Sequence, residues 1–349
     1  MNISKYIIYY PYLLAWSCSK LFRKKQNVDF YCGNIVDYIC IKKVIAHFPT
    51  MRIVAKNRKI QKVLREYGVN SILYPTFPDV VVMCRHSARK FPVKKIVKIG
   101  LRHGPYHFKD FINPRYYNEF DNYLFTSEYE NQIASKLGIT NGVGVGYPKI
   151  DDAFDGTITN SDLENLKKKL KIKETKPTII FTATWNKTTY SAVNLWYNRL
   201  DELSDKYNVL VTVHDWTTTQ VINRIKETPG IIFIEDKEVL PYLMIADLLI
   251  GDISSIIAEF SALDKAMITF RVNEGKRISK EITDMLEDMT YRIDTFEELP
   301  AMIEEALRDN GEKHRAERKC NNKKIFGTLD GKAHLRAKEI IEKHLQGIK

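Results

Sequence analysis

Residues 231–272 read IIFIEDKEVLPYLMIADLLIGDISSIIAEFSALDKAMITFRV, and the spacing of their apolar side chains decides the fold. Ile231–Ile234, Asp247–Ile250 and Ala266–Arg271 are short, nearly continuous apolar runs. Between them, Glu238–Ala246 and Ile256–Leu263 have helical spacing. Such alternation predicts parallel strands covered by helices on both faces. The turn Gly251-Asp252-Ile253-Ser254-Ser255 leaves a strand's carboxyl end and opens a helix, the place where open α/β sheets take ligands. Gly251 permits a close bend, and Ser254 or Ser255 can cap the helix. Unpaired amides of that first turn would suit an anion such as phosphate. The same residues also make an ordinary helix N-cap.

Residues 246–270, ADLLIGDISSIIAEFSALDKAMITF, resemble the Asp-x-Ser-Ser block of the CDP-glycerol glycerophosphotransferase family. Asp252, Ser254 and Ser255 fall on that block, and Leu263-Asp264-Lys265 on the Leu-Asp-Lys that follows it. Ile253 stands where the family usually has an aromatic, and Ala266 where it has proline. The resemblance implies teichoic-acid or related polyol-phosphate polymer synthesis. It also implies an α/β fold of two Rossmann-like, doubly wound domains facing across a cleft, the glycosyltransferase-B type.

With 349 residues, 44% of them apolar, the chain can build two such domains. Cys18, Cys32, Cys40, Cys84 and Cys320 are scattered, without paired spacing for a disulfide framework or a zinc site, and a reducing cytoplasm is the expected setting. The first hundred residues hold 19 Lys/Arg against 4 Asp/Glu, and the remainder 35 against 39. One half therefore faces an anionic partner. No nucleic-acid-binding motif accompanies the charge, so nucleic acid is not the expected partner. The N-terminus, MNISKYIIYYPYLLAWSCSKLFRKK, is too short in its apolar run to span a bilayer. Its tyrosines, Trp16 and closing Lys20, Arg23, Lys24 and Lys25 suit an anionic headgroup interface. Residues 1–25 are thus expected to hold the protein at the cytoplasmic face of the membrane; the competing reading is a first helix packed on its own domain.

Strand–helix alternation continues through a predicted N-terminal acceptor domain (26–155), a C-terminal nucleotide-binding domain (156–328) and a last helix (329–349). Lys95–Gly100 runs into Leu101-Arg102-His103-Gly104-Pro105, followed by His107 and Lys109. No apolar periodicity explains this histidine. The family has Trp-His-Gly-Thr-Pro here; His103, Gly104 and a proline are kept, Arg102 replaces the tryptophan, and the threonine is missing. Gly146-Tyr147-Pro148 with Asp151 matches another family block. In the second half, strand Pro177–Thr182 ends in Ala183-Thr184-Trp185-Asn186, resembling the family's Ala-Pro-Thr-Trp-Arg; Asn186 replaces the arginine, and Lys187 could substitute for it. Strand Asn208–Val213 ends at His214, where the family has Arg-x-His-Pro; Thr212 and Asp215 occupy the arginine and proline positions. A neighbouring carboxylate at Asp215 could orient the imidazole or raise its pKa. Trp185 and His214 can equally be packing residues at strand ends.

From the resemblance, CDP-glycerol would bind mainly in the second domain, with its diphosphate over Ser254 and Ser255. Its ribose would meet Glu259, one turn into that helix, unless Glu259 is a surface residue. His103 would be the general base for an acceptor hydroxyl on a lipid-linked saccharide or polyol-phosphate chain. His214 would stabilise the phosphoryl oxygens or protonate the departing CMP. No acidic metal cluster stands out and no obligatory cofactor is implied. A nucleotide-sugar-dependent glycosyltransferase of the same fold is the rival reading.

Overall fold

The computed structural model describes residues 3–23, 25–84, 86–105, 113–187, 190–273 and 279–347, with side chains from Tyr9 onward. His107, Lys109 and Lys24 lie outside the described residues. The chain divides into two units. One comprises the described residues up to Gly104, from 113 to Asp151, and from Asp330 on; the other runs from Asp152 to Leu329 and includes Pro105.

The first unit carries β1 (Val28–Cys32), β2 (Arg52–Ala55), β3 (Ile72–Leu73), β4 (Val80–Cys84), β5 (Val97–Leu101), β6 (Asn122–Phe125) and β7 (Gly142–Gly144). They form one parallel sheet in the order β3-β2-β1-β4-β5-β6-β7. The second unit carries β8 (Thr178–Ala183), β9 (Asn208–Val213), β10 (Ile231–Phe233), β11 (Leu248–Gly251), β12 (Ala266–Phe270) and β13 (Tyr291–Ile293). Its order, β10-β9-β8-β11-β12-β13, is again wholly parallel. Both are Rossmann-like sheets wound outward from their first strand, so each has a switch point, at β1/β4 and at β8/β11. The central strands β4, β8, β11 and β12 are buried at every position, which is why they read as unbroken apolar runs.

Among the described elements, helix Thr219–Glu227, strand β13 and helix Arg315–Phe326 go unread in the sequence, as do the short helices Pro114–Tyr117, Val193–Trp196 and Asp201–Ser204. Helix Arg315–Phe326 is mostly polar and is buried through Arg318, Asn321 and Asn322 as much as through Ile325 and Phe326. Asp264, at φ 55° after helix Ile256–Ser261, receives Arg318 Nη2 at 2.9 Å and Arg315 Nε at 2.8 Å. Lys265 caps the carbonyls of Met244 and Ala246 at 2.6 and 2.7 Å. The Leu-Asp-Lys block is therefore structural, tying a helix end to two neighbours.

The final helix, Ala333–Gly347, packs in the first unit, with Ala337 and Ile341 fully buried in its core. Asp151 holds its first turn, accepting from Ala333 N–H at 3.2 Å, His334 N–H at 2.7 Å and the His334 ring at 2.8 Å. Gly146 has φ +94°, and a Cβ there would lie 2.7 Å from the Ala333 Cβ, so the Gly-Tyr-Pro block leaves room for this helix.

The N-terminal helix, Ile3–Leu21, runs through Pro11. Trp16, expected at a headgroup interface, is instead in the core at 4% exposure, its indole N–H donating to Pro78 O at 2.7 Å. Tyr12, one turn earlier, is buried beside it and donates to Thr76 O. Arg23 and Lys20 reach Asp79 at 2.6 and 3.3 Å. Tyr10, Leu14, Leu21 and Phe22 remain on the exposed side. Among the described residues no helix is long and apolar enough to cross a membrane.

Candidate functional site

The second unit's switch point is built around one buried carboxylate. Thr184 is the first residue after β8 and Asp252 the first after β11, its neighbour in the sheet. Asp252 is 0% exposed. It accepts from Thr184 N–H (2.9 Å), the Thr184 hydroxyl (2.9 Å), Ala192 N–H (3.1 Å), Ile253 N–H (2.7 Å) and Ser254 N–H (3.0 Å). Three separate segments are thereby fastened to one side chain. Burial pushes this carboxyl above the usual range, against the donors, which pull it down. Gly251 is required by close packing: a Cβ would sit 2.8 Å from Ile257 Cδ1 and 2.9 Å from Thr182 Cγ2.

These bonds change what the turn can offer an anion. The amides of Ile253 and Ser254, expected to point outward, are taken by Asp252, and Ile256 N–H reaches Ser254 Oγ at 3.4 Å. Ser255 is the N-cap residue of Ile256–Ser261 but makes no capping bond with its side chain. The partly exposed hydroxyls of Ser254 and Ser255 stand beside these amides. Glu259 is not a surface glutamate; at 2% exposure it lies in the interior of that helix's packing.

Beside Thr184, Trp185 joins an aromatic cluster. Its ring lies 5.1 Å from His214 and 5.2 Å from Trp216, and His214 and Trp216 are 5.3 Å apart. The loop after β9 that bears His214 is braced by Asn186, whose amide accepts from Thr218 N–H (3.0 Å) and donates to the Thr218 hydroxyl (2.9 Å). Where the family has arginine, this chain thus has a loop brace, and Lys187 is exposed next to it. Asp215, expected to orient the imidazole, has its carboxylate 2.5 Å from Lys237 Nζ. The His214 ring takes its orientation from the main chain, with Trp216 N–H donating to Nδ1 at 3.1 Å.

In the first unit, His103 lies two residues past β5 and is partly exposed, with Gly104 after it. Its carbonyl is gripped by the Tyr147 hydroxyl at 3.1 Å and the Cys40 thiol at 3.1 Å. Two family-like blocks, His103-Gly104 and Gly146-Tyr147-Pro148, therefore meet at one point. Sequence reasoning missed Tyr147 and Cys40 in this role, the Ala192 amide on Asp252, and Trp216. Only Trp216 had a signal: a tryptophan in His-Asp-Trp-Thr-Thr-Thr, at 65% exposure, serves no apolar period. Among the described residues no group of His, Cys, Asp and Glu is arranged to hold a metal ion.

A model of the family described as CDP-glycerol:poly(glycerophosphate) glycerophosphotransferase matches residues 109–343. The teichoic acid ribitol-phosphate polymerase TarK of Staphylococcus aureus (strain NCTC 8325 / PS 47) is 26% identical over 200 residues, covering 54% of this chain and 38% of that protein. The teichoic acid poly(ribitol-phosphate) polymerase of Bacillus spizizenii is 25% identical over 342 residues, 90% of this chain and 51% of that protein. The chain thus spans about half the length, or less, of these curated relatives. Among solved structures, a variant of the wall teichoic acid polymerase TagF with CDPG superposes with TM-score 0.70 at 14% identity, covering 99% of both chains. The S. aureus MnaA–UDP structure gives 0.64 at 12% identity, covering 92% of this chain and 97% of that one. These likenesses show the fold, a two-domain architecture of the glycosyltransferase-B type.

Proposed function

The chain belongs to the CDP-glycerol:poly(glycerophosphate) glycerophosphotransferase family, and on that premise we propose that it transfers glycerol phosphate from CDP-glycerol to a hydroxyl of a lipid-linked saccharide or growing polyol-phosphate chain, releasing CMP. The observation that carries this reading is the bond set of Asp252. It joins the Thr184-Trp185 block to the Asp252-Ser254-Ser255 block at a switch point, where open α/β sheets receive ligands. Thr184 and Asp252 hold the turn rather than touch substrate. The hydroxyls of Ser254 and Ser255 donate to the donor's diphosphate, and Glu259 is the carboxylate for the ribose hydroxyls. His103, followed by Gly104, takes the proton of the acceptor hydroxyl as the oxygen attacks phosphorus. His214, backed by Trp185, meets the phosphoryl group. No cofactor is needed for this chemistry.

A ribitol donor is the second reading, because the curated relatives carry ribitol-phosphate in their names. CMP release from CDP-glycerol, CDP-ribitol and nucleotide sugars, measured with a lipid-linked acceptor pool, separates them. Release from CDP-glycerol alone is the expected result. Release from CDP-ribitol alone changes the polyol, and turnover of only a nucleotide sugar replaces the reaction class.

The exposed row Tyr10, Leu14, Leu21 and Phe22, with a chain pI of about 9.2, supports peripheral attachment to an anionic membrane surface, at the cytoplasmic face where lipid-linked acceptors would be met. Burying two such side chains in the interface is worth about 1.5–3 kcal/mol each. Leu14→Glu with Phe22→Glu is therefore expected to lower co-sedimentation with phosphatidylglycerol vesicles by more than about tenfold. Undiminished binding would reject this face as the contact.

A further inference from the structure

We propose that the outer row of helix Arg58–Glu66 binds the phosphodiester backbone of the acceptor, holding a polyol-phosphate chain some distance behind the hydroxyl that reacts. The proposal deepens the phosphotransfer reading and rests on it for the identity of the polyanion. The helix follows β2 and reads Arg-Lys-Ile-Gln-Lys-Val-Leu-Arg-Glu. Arg58, Lys62 and Arg65 recur at i, i+4 and i+7, so they stand in one row along it. Lys59 lies beside the row and Lys56 just before the helix, and all five cations are exposed. The apolar side chains take the opposite face: Leu64 is fully buried, and Ile60 and Val63 pack against the same core.

No carboxylate of the fold neutralises this row. Among the described residues none of the five cations joins an ion pair, whereas Arg52, on β2, is paired with Asp29 at 2.7 Å. Glu66, the one carboxylate in the helix, is exposed and pairs with none of them. The arrangement is unfavourable by itself. Arg58 and Lys59 add positive charge to a first turn that has no acidic residue and where the helix dipole is already positive. Arg58 and Lys62 are like charges one turn apart. A bound polyanion relieves both repulsions. A lipid headgroup surface matches the row less well, because interfacial helices bury apolar side chains beside their cations, and here those side chains face the core.

The row also lies within reach of the acceptor's reacting end. All strands of a parallel sheet end at one edge, so the first turn of this helix opens at the edge where His103 follows β5. β1 and β4 stand between β2 and β5, and three strand spacings amount to roughly 14 Å. A poly(glycerol phosphate) chain has as many backbone bonds between phosphates as a nucleic-acid strand. A few of its units span that gap while earlier phosphates meet Arg58, Lys62 and Arg65, and the salt dependence of single-strand binding carries over to it.

The test titrates poly(glycerol phosphate), freed of lipid, into the full chain without donor. The variant is Arg58→Gln/Lys62→Gln/Arg65→Gln, in which glutamine keeps the helix propensity. Each phosphate contact contributes about −0.7 to the slope of log affinity against log salt. Raising salt from about 50 to 200 mM should therefore weaken the parent about 20-fold more than the variant. In the CMP-release assay the variant's KM for a long acceptor should rise at least about tenfold, with kcat and the donor KM unchanged. An acceptor carrying a single phosphate should serve both proteins equally. The variant's thermal midpoint should be no lower than the parent's, since repulsion has been removed. Equal salt slopes, or an equal KM for the long acceptor, would overturn the proposal. A lower midpoint would make the row structural and overturn it too. Loss of phosphatidylglycerol-vesicle binding with polymer binding intact would make it a membrane contact instead. Absence of CMP release from every donor by the unaltered protein would count against the phosphotransfer reading and leave the polymer titration standing.

Discussion

His103→Ala is expected to lower CMP release by about 100- to 10,000-fold, the range by which a positioned acid–base group accelerates transfer, while nucleotide binding is retained. The separation follows from placement. His103 lies in the first unit, and Ser254, Ser255 and Glu259, assigned to the nucleotide, lie in the second. The loop should survive the substitution, because what fixes it is the His103 carbonyl, held by the Tyr147 hydroxyl and the Cys40 thiol. The imidazole itself is partly exposed, so removing it empties no core. Titration with CDP-glycerol followed by calorimetry, beside the rate measurement, checks both halves. A variant with full rate would remove His103 as the base; one that no longer binds nucleotide would make it a binding residue.

Asp252→Asn should be the most damaging isosteric change in the second unit. Five donors converge on this carboxylate in a fully buried place. An amide keeps one acceptor oxygen and turns an NH₂ toward N–H groups that then have no acceptor. Breaking a buried, hydrogen-bonded charge site by altering one partner costs about 3–5 kcal/mol. For a unit of this size that corresponds to a midpoint lower by roughly 10 °C. The fastened segments are the ones that carry Thr184, Ala192 and Ser254, so donor affinity should fall together with stability. Thermal unfolding and nucleotide titration on the same preparation measure the two. A midpoint within about 2 °C of the parent would mean that Asp252 does not organise the turn.

The strands were legible because a parallel strand covered on both faces needs an unbroken apolar run. Asn208–Val213 coincides in sequence reading and structure for that reason. β13 was missed because three residues make no pattern. Helix Arg315–Phe326 was missed because Arg318 and Asn322 are buried by polar bonds, Arg318 to Asp264 and Asn322 to Ser261 O, instead of by an apolar stripe. At the N-terminus the amphipathic character was visible, but which face turns inward was not. Tyr12 and Trp16 went to the core because Thr76 and Pro78 supply carbonyls for their polar tips.

By itself, then, the order of apolar runs determined two doubly wound parallel sheets, and the motifs at their carboxyl ends determined which residues to watch. Tertiary structure alone decided what those residues do: that Asp252 is spent on the protein's own amides, those of Ile253 and Ser254 among them, and that Glu259 is interior. The physical reason is that apolar periodicity is a local property of the chain. A buried carboxylate chooses its donors from whatever backbone the fold brings within about 3 Å, the length of a hydrogen bond, and Thr184, Ala192 and Ser254 become neighbours only when β8 and β11 pair.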